Sequence, residues 1–421
     1  MLNLRTCLAL ALSLAVGLAA CGGGADRTKA HVRLVNASSG YSSLSLTIDG
    51  STVASGVAAG SSADYADASR GTQDLDIYSP GSATVVATRS ASLGKDAHYT
   101  LLAYGRAGAL ATQLLEESQS TPNSGKTLVR VVNTASDAGA LDVYLTGATD
   151  DLAQAAPLQS AAAYGVLGSF VTINSGTWRL RVTTAGNASD VRLDVSGLTF
   201  DSTGVKTLVI MPGRGGVLVN GLVLSQQGGV AAATNVQARV RVAAGVSSSG
   251  LVTASVGGTT LISSAAAPAL SDYVRVTAGT SAPVVTVNGA AVAAAAATLL
   301  AGGDYTLVVH GAPGAAGAAV VADDNTLPSD GSKAKLRLVN GATGSLTLKV
   351  GLVVKASGVG TGAASDYTAA DATTTGSVQV SSSDGLLNYN ANDLTLSANG
   401  VYTLFMLDGA AAPVGQLTRD R

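Results

Sequence analysis

The chain has 421 residues, of which only 12% are charged and 4% aromatic, while glycine reaches 51 residues; 25 basic side chains stand against 27 acidic ones. Length of this order calls for several domains, and so low a charge argues against charge-driven disorder. A near-neutral balance without a basic block removes the electrostatic footprint for a phosphate backbone, so nucleic acid is not an expected partner.

At the N-terminus, Met1 to Arg5 forms a short positive start, Cys7 to Val16 an apolar run, and Leu18-Ala19-Ala20-Cys21 a small-residue processing site. This reads as a signal peptide over residues 1–20, too short for a permanent span. The tetrapeptide resembles the lipobox of bacterial lipoproteins, which implies a lipid on Cys21, cleavage before it, and attachment to the membrane through that N-terminal lipid. Gly22 after the cysteine implies the outer membrane. Two or three acyl chains, at about 0.8 kcal/mol per buried methylene, anchor stably where one would be marginal. With Cys7 removed and Cys21 lipidated, the mature protein holds no thiol for a disulfide or a metal site. Residues 21–29 read as a flexible glycine-rich tether.

Beyond the tether the sequence repeats roughly every 100 residues. Strand-like openings occur at His31 to Asn36, Leu128 to Asn133, Gln237 to Val242 and Lys335 to Asn340, aligned on Arg33, Arg130, Arg239 and Arg337. A tyrosine follows each arginine, at Tyr65, Tyr164, Tyr273 and Tyr367, and a late strand precedes Gly105, Gly213, Gly311 and Gly409. Breaker-rich stretches at 118–125, 226–229 and 325–331 divide the units into 30–117, 126–227, 235–325 and 333–421. Within a unit the period is two, as in Leu44-Ser45-Leu46-Thr47-Ile48 before the hairpin signal Asp49-Gly50. The alanine-rich run 290–300 is flanked by hairpin residues and reads as strand, turn, strand. Short strands with frequent turns predict an all-β chain of four tandem immunoglobulin-like antiparallel β-sandwich domains.

The run Arg130-Val131-Val132-Asn133, then Ala135-Ser136-Asp137-Ala138, then Leu141 to Gly147 resembles the domain of unknown function 4397, found in tandem in bacterial envelope lipoproteins. The strands Tyr99 to Gly105 and Tyr305 to Gly311 fit it too. The resemblance implies no activity and no catalytic residues.

Motifs for chemistry are sparse. The histidines His31, His98 and His310 lack metal-ligand spacing and read as solvated strand-edge residues, and no nucleophile elbow, zinc helix or phosphate loop is present. Pro212 to Gly216 reads as a hairpin turn rather than an anion cradle, and the pairs Asp150-Asp151, Glu116-Glu117 and Asp323-Asp324 as solubilising charge rather than calcium ligands. The repeated arginines are expected to pair with carboxylates such as Asp64 or Asp272. The repeated tyrosines are expected to place the hydroxyl on a backbone carbonyl. Trp178, with Arg179, Arg181 and Phe170, forms the one candidate binding platform, for a sugar or peptide. No catalytic residue, metal or cofactor is assigned. The expected role is a non-enzymatic, lipid-anchored structural or adhesin-like interaction module, with an envelope polysaccharide or protein as partner. Binding of carbohydrate or peptide in the second unit is the alternative, and an envelope hydrolase ranks below both.

Overall fold

The computed structural model describes residues 28–82 and 84–421. The signal peptide at 1–20, Cys21 and most of the tether lie outside the described residues. Among the described residues no helix is long and apolar enough to cross a membrane, and the helical content is two single 3-10 turns.

The first unit shows the plan. It comprises β1 (Ala30–Asn36), β2 (Ser43–Ile48), β3 (Ser51–Ala58), β4 (Ser61–Ser62), β5 (Ala66–Ala68), β6 (Gly71–Tyr78), β7 (Val85–Leu93), β8 (His98–Arg106) and β9 (Ala109–Glu116). One sheet has the order β4-β1-β8-β9, with β5 also on β1, and the other β3-β2-β6-β7. Asp49 and Gly50 both take positive φ, 46° and 77°, the two-residue turn that their chemistry favours between β2 and β3. The alternating Leu44, Leu46 and Ile48 face Val32, Leu34, Leu75, Ile77 and Leu101 in the core between the sheets. The plan recurs in three further groups, each with its own core.

Three expectations change. First, the sandwiches are not purely antiparallel: β1 runs parallel to β8, and the opening strands of the other units do the same against Gly204–Pro212, Asp304–Gly311 and Val401–Leu407. Period-two alternation reports which face a residue takes and says nothing about strand direction. Second, residues 226–229 are a hairpin turn and not a linker. Val219–Ser225 pairs with Val230–Ala233, so the second unit runs on to Ala233. Gly-Gly chemistry suits both uses. Third, the opening sheets are buried on both faces, with every residue of β1 buried.

The cause of the third change is pairing. Val35, Leu102, Tyr104 and Leu115 of the first unit pack on Val132, Val209, Leu222 and Leu224 of the second. Ala243 and Val308 of the third pack on Val339, Phe405 and Leu407 of the fourth. A strand covered on both sides reads as a nearly continuous apolar run, which is what Leu128-Val129-Arg130-Val131-Val132 is. The two pairs touch through Gly215, whose N–H donates to the Gly302 carbonyl (2.7 Å), and through Arg421, which donates to the Gly216 carbonyl (2.7 Å). The run 290–300 forms strand Ala290–Val292, a break, and strand Ala297–Leu299.

Candidate functional site

Because side chains alternate along β1, Val32 and Leu34 point into the unit's own core while Arg33 points to the seam with the next unit. Its parallel partner is Thr100, and Nε of Arg33 donates to Thr100 Oγ1 at 2.7 Å. The same bond recurs as Arg130 to Thr207 (3.0 Å), Arg241 to Thr306 (3.0 Å) and Arg337 to Thr403 (3.2 Å). Each guanidinium lies over an aromatic ring, 4.6 Å from the Tyr65 centroid, 4.5 Å from Phe170, 4.5 Å from Tyr273 and 4.7 Å from Tyr367.

A carboxylate at the end of the last strand or just past it completes three of the clusters. In the first unit Glu117 accepts from Arg33 (2.9 Å), from the Tyr65 hydroxyl (2.6 Å) and from Thr100. In the second pair the acids are exchanged between units. Arg241 donates to Asp420 of the fourth unit (2.6 Å), and Arg337 donates to Asp323 of the third. Thr403 donates to Asp420 (2.6 Å), and Thr306 and Tyr273 to Asp323 (2.7 and 2.6 Å). Arg337 and Arg241 are 1% and 2% exposed, so these are desolvated ion pairs; Arg337 uses all three of its nitrogens, while Nη2 of Arg241 is buried without a hydrogen-bond partner.

The electrostatics are static. Burial, then Asp323, pushes the Tyr273 hydroxyl well above its usual range, and burial with Glu117 does the same for Tyr65. Burial works against the charge of Arg241, but Tyr273, Asp420 and Asp323 outweigh it and raise its pKa. Protonated tyrosines and permanent guanidinium charges leave these clusters no proton to exchange near neutral pH.

The repeat register needs correcting. Arg241, not Arg239, is the third unit's counterpart of Arg33; Arg239 instead holds Asp304 in a bidentate pair (2.8 and 2.7 Å). Both arginines lie on one face of the strand, so sequence alone does not choose between them. In the second unit the ring position belongs to Phe170. Tyr164 sits in the first seam, edge-on to Tyr104 at 5.5 Å. The acids are Glu117, Asp323 and Asp420 rather than Asp64 or Asp272, and the Tyr65 and Tyr273 hydroxyls reach carboxylates, not carbonyls. The legible signal was the acid that closes each of these units, in Glu116-Glu117, Asp323-Asp324 and Arg419-Asp420.

Other candidates disperse. Trp178 packs against the second unit's core and its indole N–H donates to the Asn174 carbonyl (3.0 Å). Arg179 and Arg181 take the opposite face, the first bidentate on Asp194 (2.7 Å each), the second on Thr146 Oγ1 (2.7 Å). Phe170 lies under Arg130, so the four do not form one platform. His31 is not a solvated edge residue. It is 4% exposed, 2.9 Å from Asp67, and its ring lies 4.5 Å from that of His98. In the loop 212–216 the amides of Gly213, Gly215 and Gly216 are all bonded to carbonyls, which closes it as a cradle. Asp150 and Asp151 accept from the Gly147 and Ala153 amides, and Asp324 from Lys335 (2.8 Å). Among the described residues no group of three metal-ligating side chains converges.

Fold and seams together define a class of tandem β-sandwich proteins whose successive units are clasped in pairs. Residues 30–144 and 238–351 match the model of the domain of unknown function DUF4397, and the chain belongs to that family. Each match runs through one sandwich and into the opening strands of its partner, so it includes a seam. No curated protein matches the chain. Among solved structures, the TIE protein of Bacillus anthracis is matched at 9% identity over 88% of this chain and 69% of that one, with a TM-score of 0.15.

Proposed function

We propose that the protein is a non-enzymatic component of the bacterial cell envelope, anchored to the outer membrane by lipid on Cys21 and acting through its surfaces as a structural or adhesin-like module. The observation that carries this reading is the use made of its buried ionisable groups: arginines, tyrosines and carboxylates are spent on one another at the seams. The signal-like start and Leu18-Ala19-Ala20-Cys21 support the anchor. Labelled palmitate is expected in the wild type and absent from Cys21→Ala; an unlabelled, soluble wild type overturns the anchor. Protease added to intact cells separates surface display, where the chain is clipped, from a periplasmic position. Turnover of ester, peptide or glycoside substrates by the purified protein overturns the non-enzymatic part.

A further inference from the structure

The hairpin that follows the opening strand differs in one unit. In the first, third and fourth units it pairs in one register, Ile48 with Ser51, Val256 with Thr259 and Val350 with Val353, each around a two-residue turn. The turn and the two residues after it are Asp49-Gly50-Ser51-Thr52 in the first unit and Gly257-Gly258-Thr259-Thr260 in the third. In the fourth they are Gly351-Leu352-Val353-Val354. The second unit has a longer loop there, carrying Asp150 and Asp151.

Neither the turn nor the core calls for this change. Gly351 supplies the positive φ (60°) that a two-residue turn needs, and Leu352, Val353 and Val354 are 92%, 60% and 52% exposed. A single exposed apolar side chain is ordinary, but three in a row at the tip of a hairpin form a convex apolar cap where the sisters are polar.

Lysines bound the cap. Lys349 lies opposite Val354 and alternates with the buried Leu348, which puts it on the outer face of the sheet, without a partner among the described residues. Lys355 sits on the other side, where one proton of its ammonium goes to the Ala369 carbonyl (2.7 Å). The sisters have Thr47 and Val53, or Ser255 and Leu261, at these positions. The segment 372–377 beside the turn is uncharged, and its Ser377 carbonyl accepts from the Gly351 amide (2.8 Å). Of the acids at this end, Asp371 is held by Lys333, and Asp393 lies on Asn388–Leu396, two strands removed from Leu346–Val350. Val353–Val359 is an edge strand, and lysines along such an edge oppose pairing with a second copy. The same charges suit anionic headgroups, which lysine stems reach from an apolar tip.

We propose that this hairpin tip inserts into an anionic lipid bilayer, with Leu352, Val353 and Val354 entering the acyl boundary and Lys349 and Lys355 meeting the headgroup phosphates. The proposal does not rest on lipid at Cys21.

The test uses the full chain with Cys7 and Cys21 changed to alanine, which removes the lipid site and leaves one new thiol. A polarity-sensitive dye is placed at Val353→Cys or, as the control, at Thr259→Cys, the matching position of the third unit. The vesicles hold equal parts of phosphatidylcholine and phosphatidylglycerol, with a quencher on the acyl chains. The dye at position 353 is expected to shift to the blue and be quenched. The dye at 259 should do neither, whatever residues 1–20 contribute to holding the chain on the vesicle. Adding Leu352→Asp to the 353-labelled chain should raise the lipid needed for half the response about tenfold, at an unchanged urea midpoint. Omitting phosphatidylglycerol should raise it about fivefold for each lysine. No response at 353, an equal response at 259, a response indifferent to phosphatidylglycerol, or a lipid-free blue shift that grows with protein concentration overturns the proposal.

Discussion

At the scale of single residues, three of the four seam arginines, Arg33, Arg241 and Arg337, are paired with a buried carboxylate. Burial disfavours the charge of Arg337, but Asp323 and Tyr367 more than compensate and raise its pKa. Removing one member of such a pair strands the other. Arg337→Met should therefore destabilise the protein by about 3–5 kcal/mol in urea unfolding, and adding Asp323→Leu should return part of the loss. His98 provides a pH signature. Burial, then the neighbouring His31, lowers its pKa from 6.5, against weaker pulls from Glu117 and Asp96. Between that lowered value and 6.5 the unfolded chain binds more protons than the folded one, so stability is full above about pH 6.5 and falls as the pH drops through this window. The urea midpoint measured between pH 5 and 7.5 should show this slope, and His98→Gln should flatten it.

At the scale of elements, alternation was legible where one face of a strand meets the core, as in β2, and was lost where both faces are covered. The opening strands belong to the second kind. Gly245 and Gly341 occupy matching positions, four residues beyond Arg241 and Arg337, and meet where the paired strands cross. A Cβ on Gly245 would stand 2.2 Å from the Gly341 carbonyl oxygen. Gly245→Val should wedge the third and fourth units apart, at a cost of about 1–3 kcal/mol. Hydrogen exchange should then rise around Val308, Val339 and Phe405 while the Leu336 and Leu348 core stays protected. The second unit's register was the least legible element. Tyr164 offers a plausible spacing from Arg130, and only the ring stacked under the guanidinium identifies Phe170.

At the scale of the whole molecule, the chain is two clasped pairs rather than four independent beads. The connector after the third unit reaches back across the first pair: the Leu327 amide donates to Asp137 (3.1 Å) and Arg106 to the Pro328 carbonyl (2.7 Å). Arg421 is half-enclosed at the junction of the pairs, where burial pulls its pKa down to about 10. The sequence by itself determined the β class, the unit length and the recurrence of arginine on the seam face, because period-two patterning and turn chemistry are local and survive repetition. Strand direction and the exchange of acids between units were decided only in the tertiary structure. Strand direction depends on which strands of a unit become neighbours in a sheet, and the exchange of acids on which sheets face each other, set by shape and charge matching between residues nearly 200 positions apart, such as Arg33 and Ser225, for which no local pattern exists.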